Sequence, residues 1–133
     1  MASASEDLQK AILNALLADA GVSAVVGDRV HDGRPISYPS ITFGPSDVLP
    51  EDLDCIDGLM TTVQIDCWTR DENRLRPVKA LADRVRQALH RARLQLETHA
   101  LVNLSVVSTR SFMDPDELTG HGIVTVEAEI EER

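Results

Sequence analysis

With 133 residues, 43% of them apolar and 26% charged, the chain is long enough to bury one core and too short for two ordinary domains. Its net charge of −9 excludes the grip on phosphates that clustered Lys and Arg provide, although an acidic wall lets DNA slide past. With one Trp, one Tyr and two Phe, the core is expected from Leu, Ile, Val and Ala.

Ser5-Glu6-Asp7 opens the first predicted element, with Ser5 as cap and two acids where the helix dipole favours them. Leu8, Ala11, Ile12, Ala15 and Leu16 mark one face at helical spacing. Asp19-Ala20-Gly21 stops this helix, and Val22 to Val26 adds one more short turn before Gly27. Arg29-Val30-His31 is a short strand. Ser40-Ile41-Thr42-Phe43 is a second, with Pro39 marking an edge or a strand start. Gly44 to Gly58, punctuated by Pro45 and Pro50, reads as a long loop carrying Asp47, Glu51, Asp52, Asp54 and Asp57 without a basic residue. It is either a solvated loop or a contact surface.

Leu59 to Thr69 alternates in strand period, Val63, Ile65 and Cys67 on one face against Gln64, Asp66 and Trp68 on the other. Asp71-Glu72-Asn73 begins the second long helix, Pro77 falls in its first turn, and Val78, Leu81, Ala82, Val85 and Leu89 form its apolar stripe. Leu94-Gln95-Leu96 is a short strand candidate. Val102, Leu104 and Val106 alternate in a longer strand running to Phe112. Asp114-Pro115-Asp116 and Gly120-His121-Gly122 bracket a loop that also holds Glu117. In the last strand, Ile123–Glu131, Val124, Val126, Ala128 and Ile130 face one side and Glu127, Glu129 and Glu131 the other. The sum is a single α+β domain over 1–133, a mainly antiparallel β-sheet with two α-helices packed on one face.

No catalytic constellation stands out, and the chain is expected not to be an enzyme. His31, His90, His99 and His121 are scattered without metal-ligand spacing and read as surface residues; no Cys-x-x-Cys or Gly-x-Ser-x-Gly occurs. The acidic loop lacks the order of a calcium loop. No cofactor and no metal are therefore expected. Cys55 and Cys67 are too few for a disulfide framework, so a reduced cytoplasmic setting without a secretory leader is expected. No apolar run approaches the ~20 residues of a membrane helix. Trp68 points away from the apolar face of its strand, where it meets either a partner or a local cover.

In order along the chain stand Leu8-Gln9-Lys10-Ala11-Ile12, Val25-Val26-Gly27-Asp28-Arg29-Val30, Asp32-Gly33 and Tyr38-Pro39-Ser40-Ile41-Thr42-Phe43-Gly44. Asp54-Cys55-Ile56-Asp57-Gly58, Gln64-Ile65-Asp66-Cys67-Trp68-Thr69-Arg70, Ser108-Thr109-Arg110, Asp114-Pro115-Asp116 and His121-Gly122 follow. The series resembles the small tail terminator, or tail completion, proteins of long-tailed phages and gene transfer agents, over nearly the whole chain. The resemblance implies a non-enzymatic structural protein of the particle's tail, assembled in the bacterial cytoplasm. It implies a hexameric ring capping the head-proximal end of the tail tube, with the tube protein and the head connector as partners. DNA passes through without specific binding.

Candidate contacts are Asp47, Glu51, Asp52, Asp54 and Asp57, Trp68, and Asp114, Asp116 and Glu117. Strand edges at Ser40–Phe43 or along the last strand are expected to join neighbouring sheets. A head–tail adaptor is the alternative, and a small α+β ligand-binding domain a more distant one.

Overall fold

A computed structural model describes residues 3–53, 56–71 and 74–132, with only strand pairing described at 52–53 and 56–57. Helix α1 spans Ala4–Ala18. Its cap is Ser3, not Ser5, because only Ser3 has Glu6 three residues on. The Ser3 hydroxyl accepts from the Glu6 amide at 3.1 Å, and the Glu6 carboxylate accepts from the Ser3 amide at 2.8 Å. At Asp19 the backbone turns extended, and the Asp19 carboxylate caps a separate helix α2, Ala20–Val26, by accepting from the Val22 amide. The axes of α1 and α2 lie 82° apart. Among the described residues, no single helix is long and apolar enough to cross a membrane.

The strands are β1 (Val30–Asp32), β2 (Ser40–Leu53), β3 (Ile56–Arg70), β4 (Ala100–Met113) and β5 (Thr119–Glu131), with helix α3 (Arg76–Leu89) between β3 and β4. They form one sheet in the order β1-β2-β3-β5-β4. β1 runs parallel to β2, and every other pairing is antiparallel. The fold is α+β, but the sheet is mixed and the helices among the described residues are three.

The predicted Gly44–Gly58 loop is instead the far half of a long β2–β3 hairpin, paired from Ser46↔Val63 to Leu53↔Ile56. Two prolines disguised it. Pro45 lies in the bulge between Phe43 and Ser46, and Pro50 belongs to an edge strand, where a missing donor is tolerated. Leu94–Leu96 forms no strand, and α3 starts at Arg76, later than expected, with Pro77 in its first turn. The Gly120-His121-Gly122 triplet lies inside β5, not in a loop. A side chain at Gly122 would meet Val78 Cγ2 at 3.1 Å and Cys67 Cβ at 3.3 Å. These glycines let α3 press onto the sheet.

One apolar cluster joins the helices to one sheet face. Leu8, Ile12 and Leu16 of α1 and Val78, Leu81, Ala82, Val85 and Leu89 of α3 are buried against Ile41, Phe43, Val63, Ile65, Cys67, Leu104, Val124, Val126, Ala128 and Ile130. Cys67 is a free, buried thiol whose ionisation burial pushes far up.

The N-terminal helix is fastened by a second device. Asp7, 2% exposed, accepts from the amides of Glu97, Thr98 and His99, from the Thr98 hydroxyl and from His99 Nδ1, at 2.8–3.2 Å. Burial opposes the charge, yet these donors outweigh it and hold the Asp7 carboxyl far below the usual range. His99, expected at the surface, is therefore a buried partner.

Candidate protein-interaction face

Among the described residues, the other sheet face carries no helix. Strand alternation and the register Thr62↔Glu127, Gln64↔Thr125, Asp66↔Ile123 and Trp68↔His121 place these residues there. Its two ends differ in chemistry.

At one end, Asp66 is 6% exposed and its Oδ1 accepts from His121 Nε2 at 2.7 Å and from Gln64 Nε2 at 3.0 Å. Gly44 at the bulge makes room, since a Cβ there would lie 2.6 Å from Asp66 Oδ2. Trp68 stacks on His121, ring centroids 3.9 Å apart and planes 16° from parallel, and its indole N–H donates to Thr42 Oγ1 at 2.8 Å. Phe112 tilts against the same imidazole at 4.9 Å, and Asp114 Oδ1 lies 3.4 Å from His121 Nδ1. Trp68 is thus half-buried under His121, and its cover comes from the neighbouring strand and not from a helix. His121, expected at the surface, is thus the centre of this cluster. Its position between two glycines, directly across from Trp68, was the signal, but it needed the register to be visible.

The turn from Asp114 to Leu118 is organised by its own acids. Asp116 accepts from the Thr119 hydroxyl at 2.7 Å and from the Leu118 and Thr119 amides at 2.9 Å, while Arg70 lies 3.5 Å away. The Thr119 hydroxyl, then those amides, then Arg70 lower the Asp116 carboxyl to about 2. The Asp114 amide donates to the Thr119 carbonyl. Glu117 stands exposed in the left-handed region, φ 59°. The Arg70 guanidinium lies over the Tyr38 ring at 4.5 Å and that of Arg110 over Phe112 at 5.3 Å.

The opposite end is acidic. Glu127, Glu129 and Glu131 project from β5 as expected, and Asp47 and Glu51 stand on the same face of β2 through Asp47↔Thr62 and Glu51↔Gly58. The strands at this level contain no Lys or Arg. Asp52 and Asp57 are described only as a backbone pair, and Asp54 lies outside the described residues. The structure thus brings Asp47 and Glu51 beside the glutamate row, and sets Trp68 with Asp114 at the other end.

Two sheet edges remain. The expected joining edges are not among them: β5 is enclosed by β3 and β4, and Ile41–Phe43 is flanked by β1 as well as β3. Among the described residues the open edges are short β1 with the far half of β2 beyond it on one side, and part of β4 on the other. Along β4, the end of α3 closes one stretch, with the Arg91 amide donating to the Leu104 carbonyl at 3.0 Å and the Val106 amide donating to His90 Nδ1 at 3.1 Å. Among the described residues, nothing closes Thr109–Met113. No grouping of His, Cys, Asp and Glu fit to hold a metal occurs among the described residues.

No curated protein matches the chain. Among solved structures it is similar to a chain of the virion of a native gene transfer agent (GTA) particle, at 26% identity and TM-score 0.87, with 98% of this chain and 99% of that one covered. It is also similar in fold to the bacteriophage SPP1 gp17 protein, at 23% identity and TM-score 0.59, covering 94% of this chain and 89% of that one. The family described as tail completion protein gp17 matches residues 10–131. This chain therefore belongs to the tail completion protein gp17 family.

Proposed function

We propose that the protein ends the tail tube of a phage-type particle at its head-proximal end and joins the tail to the head. It resides in the virion tail. The observation that carries this reading is the end-to-end likeness to a chain of the gene transfer agent virion, together with family membership.

In the particle the chain works as a ring, six copies round, stacked between the tail tube protein and the head connector. A ring closes through a heterologous contact, which leaves it two unlike faces. One face adds to the tube end and the other cannot seed another tube ring. No bond is made or broken in this role. Asp47, Glu51, Asp52, Asp54, Asp57 and Trp68 belong to the contact surfaces, and Asp114, Asp116 and Glu117 to a stiff turn at the opposite end of the sheet.

The acidic helix-free face turns inward. Repeated around an axis, Glu127, Glu129 and Glu131 line the channel with negative charge, so DNA passes without adhering. The helices lie outside.

Electron microscopy of particles from a strain lacking this gene tests the reading. Overlong tails detached from heads are expected. Tails of normal length left unattached would instead indicate an adaptor acting after tube length is set, and intact normal particles would refute both.

A further inference from the structure

We infer that neighbouring copies join by adding the open edge of β2, Ser46–Leu53, to the open edge of β4, Thr109–Met113, making one sheet that continues around the ring. This rests on the ring reading above and assigns its closing contact.

Four observations carry it. First, polarity: β2 and β4 each run opposite to their inner neighbours, β3 and β5, which are themselves antiparallel. β2 and β4 therefore run in opposite directions. Placing β2 of one copy beside β4 of the next continues the antiparallel alternation without inverting a subunit.

Second, the β2 edge exposes apolar side chains, and one more stands next to the open part of β4. Val48 is 40% and Leu49 63% exposed on β2, and Val107 is 50% exposed beside the open part of β4. Exposed edges of this kind are usually blunted or used.

Third, charge selects the pairing. The β2 edge is acidic through Asp47, Glu51 and Asp52, whereas Thr109–Met113 holds one charge, Arg110. Two β2 edges repel each other, as do two β4 edges, so only the unlike pair is favoured. Pro50 removes one donor and further discourages indiscriminate pairing. Matching side-chain faces allows registers in steps of two residues. With Val48 opposite Ser111, Arg110 faces Leu49 and lies diagonal to Asp47 and Glu51, within reach of both.

Fourth, the two edges are offset. Val48 is level with Ala128 and Leu104, but Ser111 is level with Gly122, about six residues along β5. Joining them shifts each copy by ~20 Å along the strands across four strands ~19 Å wide, a tilt of about 45° to the ring axis. Closed barrels tilt their strands by about 35–45°. In this register Thr109–Met113 faces Ser46–Pro50, and of the stretch of β4 sealed by His90 and Arg91 only Val106 comes level with β2, at its last residue, Leu53.

The test uses Cys55→Ser protein, in which buried Cys67 is the remaining thiol, assembled into tails in cells lacking the native gene. Val48→Cys is combined in turn with Thr109→Cys, Ser111→Cys or Met113→Cys, and the tails are oxidised. One combination is expected to give a non-reducing gel ladder from dimer to the full ring, with no ladder from any single variant. Arg110→Glu should abolish ring assembly, and Asp47→Arg with Glu51→Arg should restore it. Rings visible on capped tails without a ladder from any combination would overturn the edge contact and leave the capping role standing. Tails that the Cys55→Ser parent neither caps nor rings would overturn both.

Discussion

Replacing Asp7 with Ala should cost more than any surface change of similar size. Its carboxylate takes five hydrogen bonds from the Glu97–His99 segment while 2% exposed. Removing it leaves three backbone amides and the His99 ring facing a void. Truncating a buried, charged network of this kind costs about 3–5 kcal/mol. For a chain of this size that lowers Tm by roughly 10–20 °C.

The pH dependence follows with a definite sign. Hydrogen bonds hold the folded carboxyl below its ordinary value of 3.8. The unfolded chain therefore binds the proton first as acid is added, and the stabilisation, complete above the ordinary value, is lost as pH falls below it. Urea unfolding followed by circular dichroism should show the wild type losing this increment between about pH 5 and pH 2, while Asp7→Ala lacks that part of the slope. A variant within about 1 kcal/mol of wild type at pH 7, or one with the wild-type slope in acid, would refute the reasoning.

Gly122→Val should lower stability by about 1–3 kcal/mol through overpacking against Val78 and Ala82, read as a lower urea midpoint; an unchanged midpoint would mean that α3 does not press on β5 there. In Cys55→Ser protein, Cys67 should resist thiol reagents until the chain unfolds, because it is buried and its ionisation suppressed; rapid labelling in native buffer would contradict its place in the core. His121→Ala should expose Trp68 and shift its fluorescence to the red, an effect absent if the stacking in the sheet is not formed. Exchanging Glu127, Glu129 and Glu131 together for Gln should leave folding intact and slow the passage of DNA from particles; unchanged delivery kinetics would remove these side chains from the channel wall.

Elements with strong periodicity were legible from residues alone. The α3 stripe, the Val63–Cys67 alternation and the inward–outward split of β5 all appear where expected, because each buries one face against a single cluster. Boundaries governed by pairing were not. Ser46–Leu53 holds one proline and three acids, follows directly on Pro45, and looks like a loop until β3 supplies its partner. Gly120 and Gly122 resemble turn residues, yet their purpose is the approach of α3, a tertiary fact. The histidines show the same limit: His99 and His121 acquire partners 92 and 55 residues away, distances that no local pattern encodes. Of the candidate contacts, Trp68, Asp47 and Glu51 lie on one face through alternation, while Asp116 is occupied in shaping its own turn.

The most direct measurement of the capping role is cryo-electron microscopy of particles carrying an epitope-tagged copy of this chain, decorated with antibody. A single ring of label at the junction of tail and head is expected. Label distributed along the tube, confined to the distal tip, or missing from intact particles would contradict it.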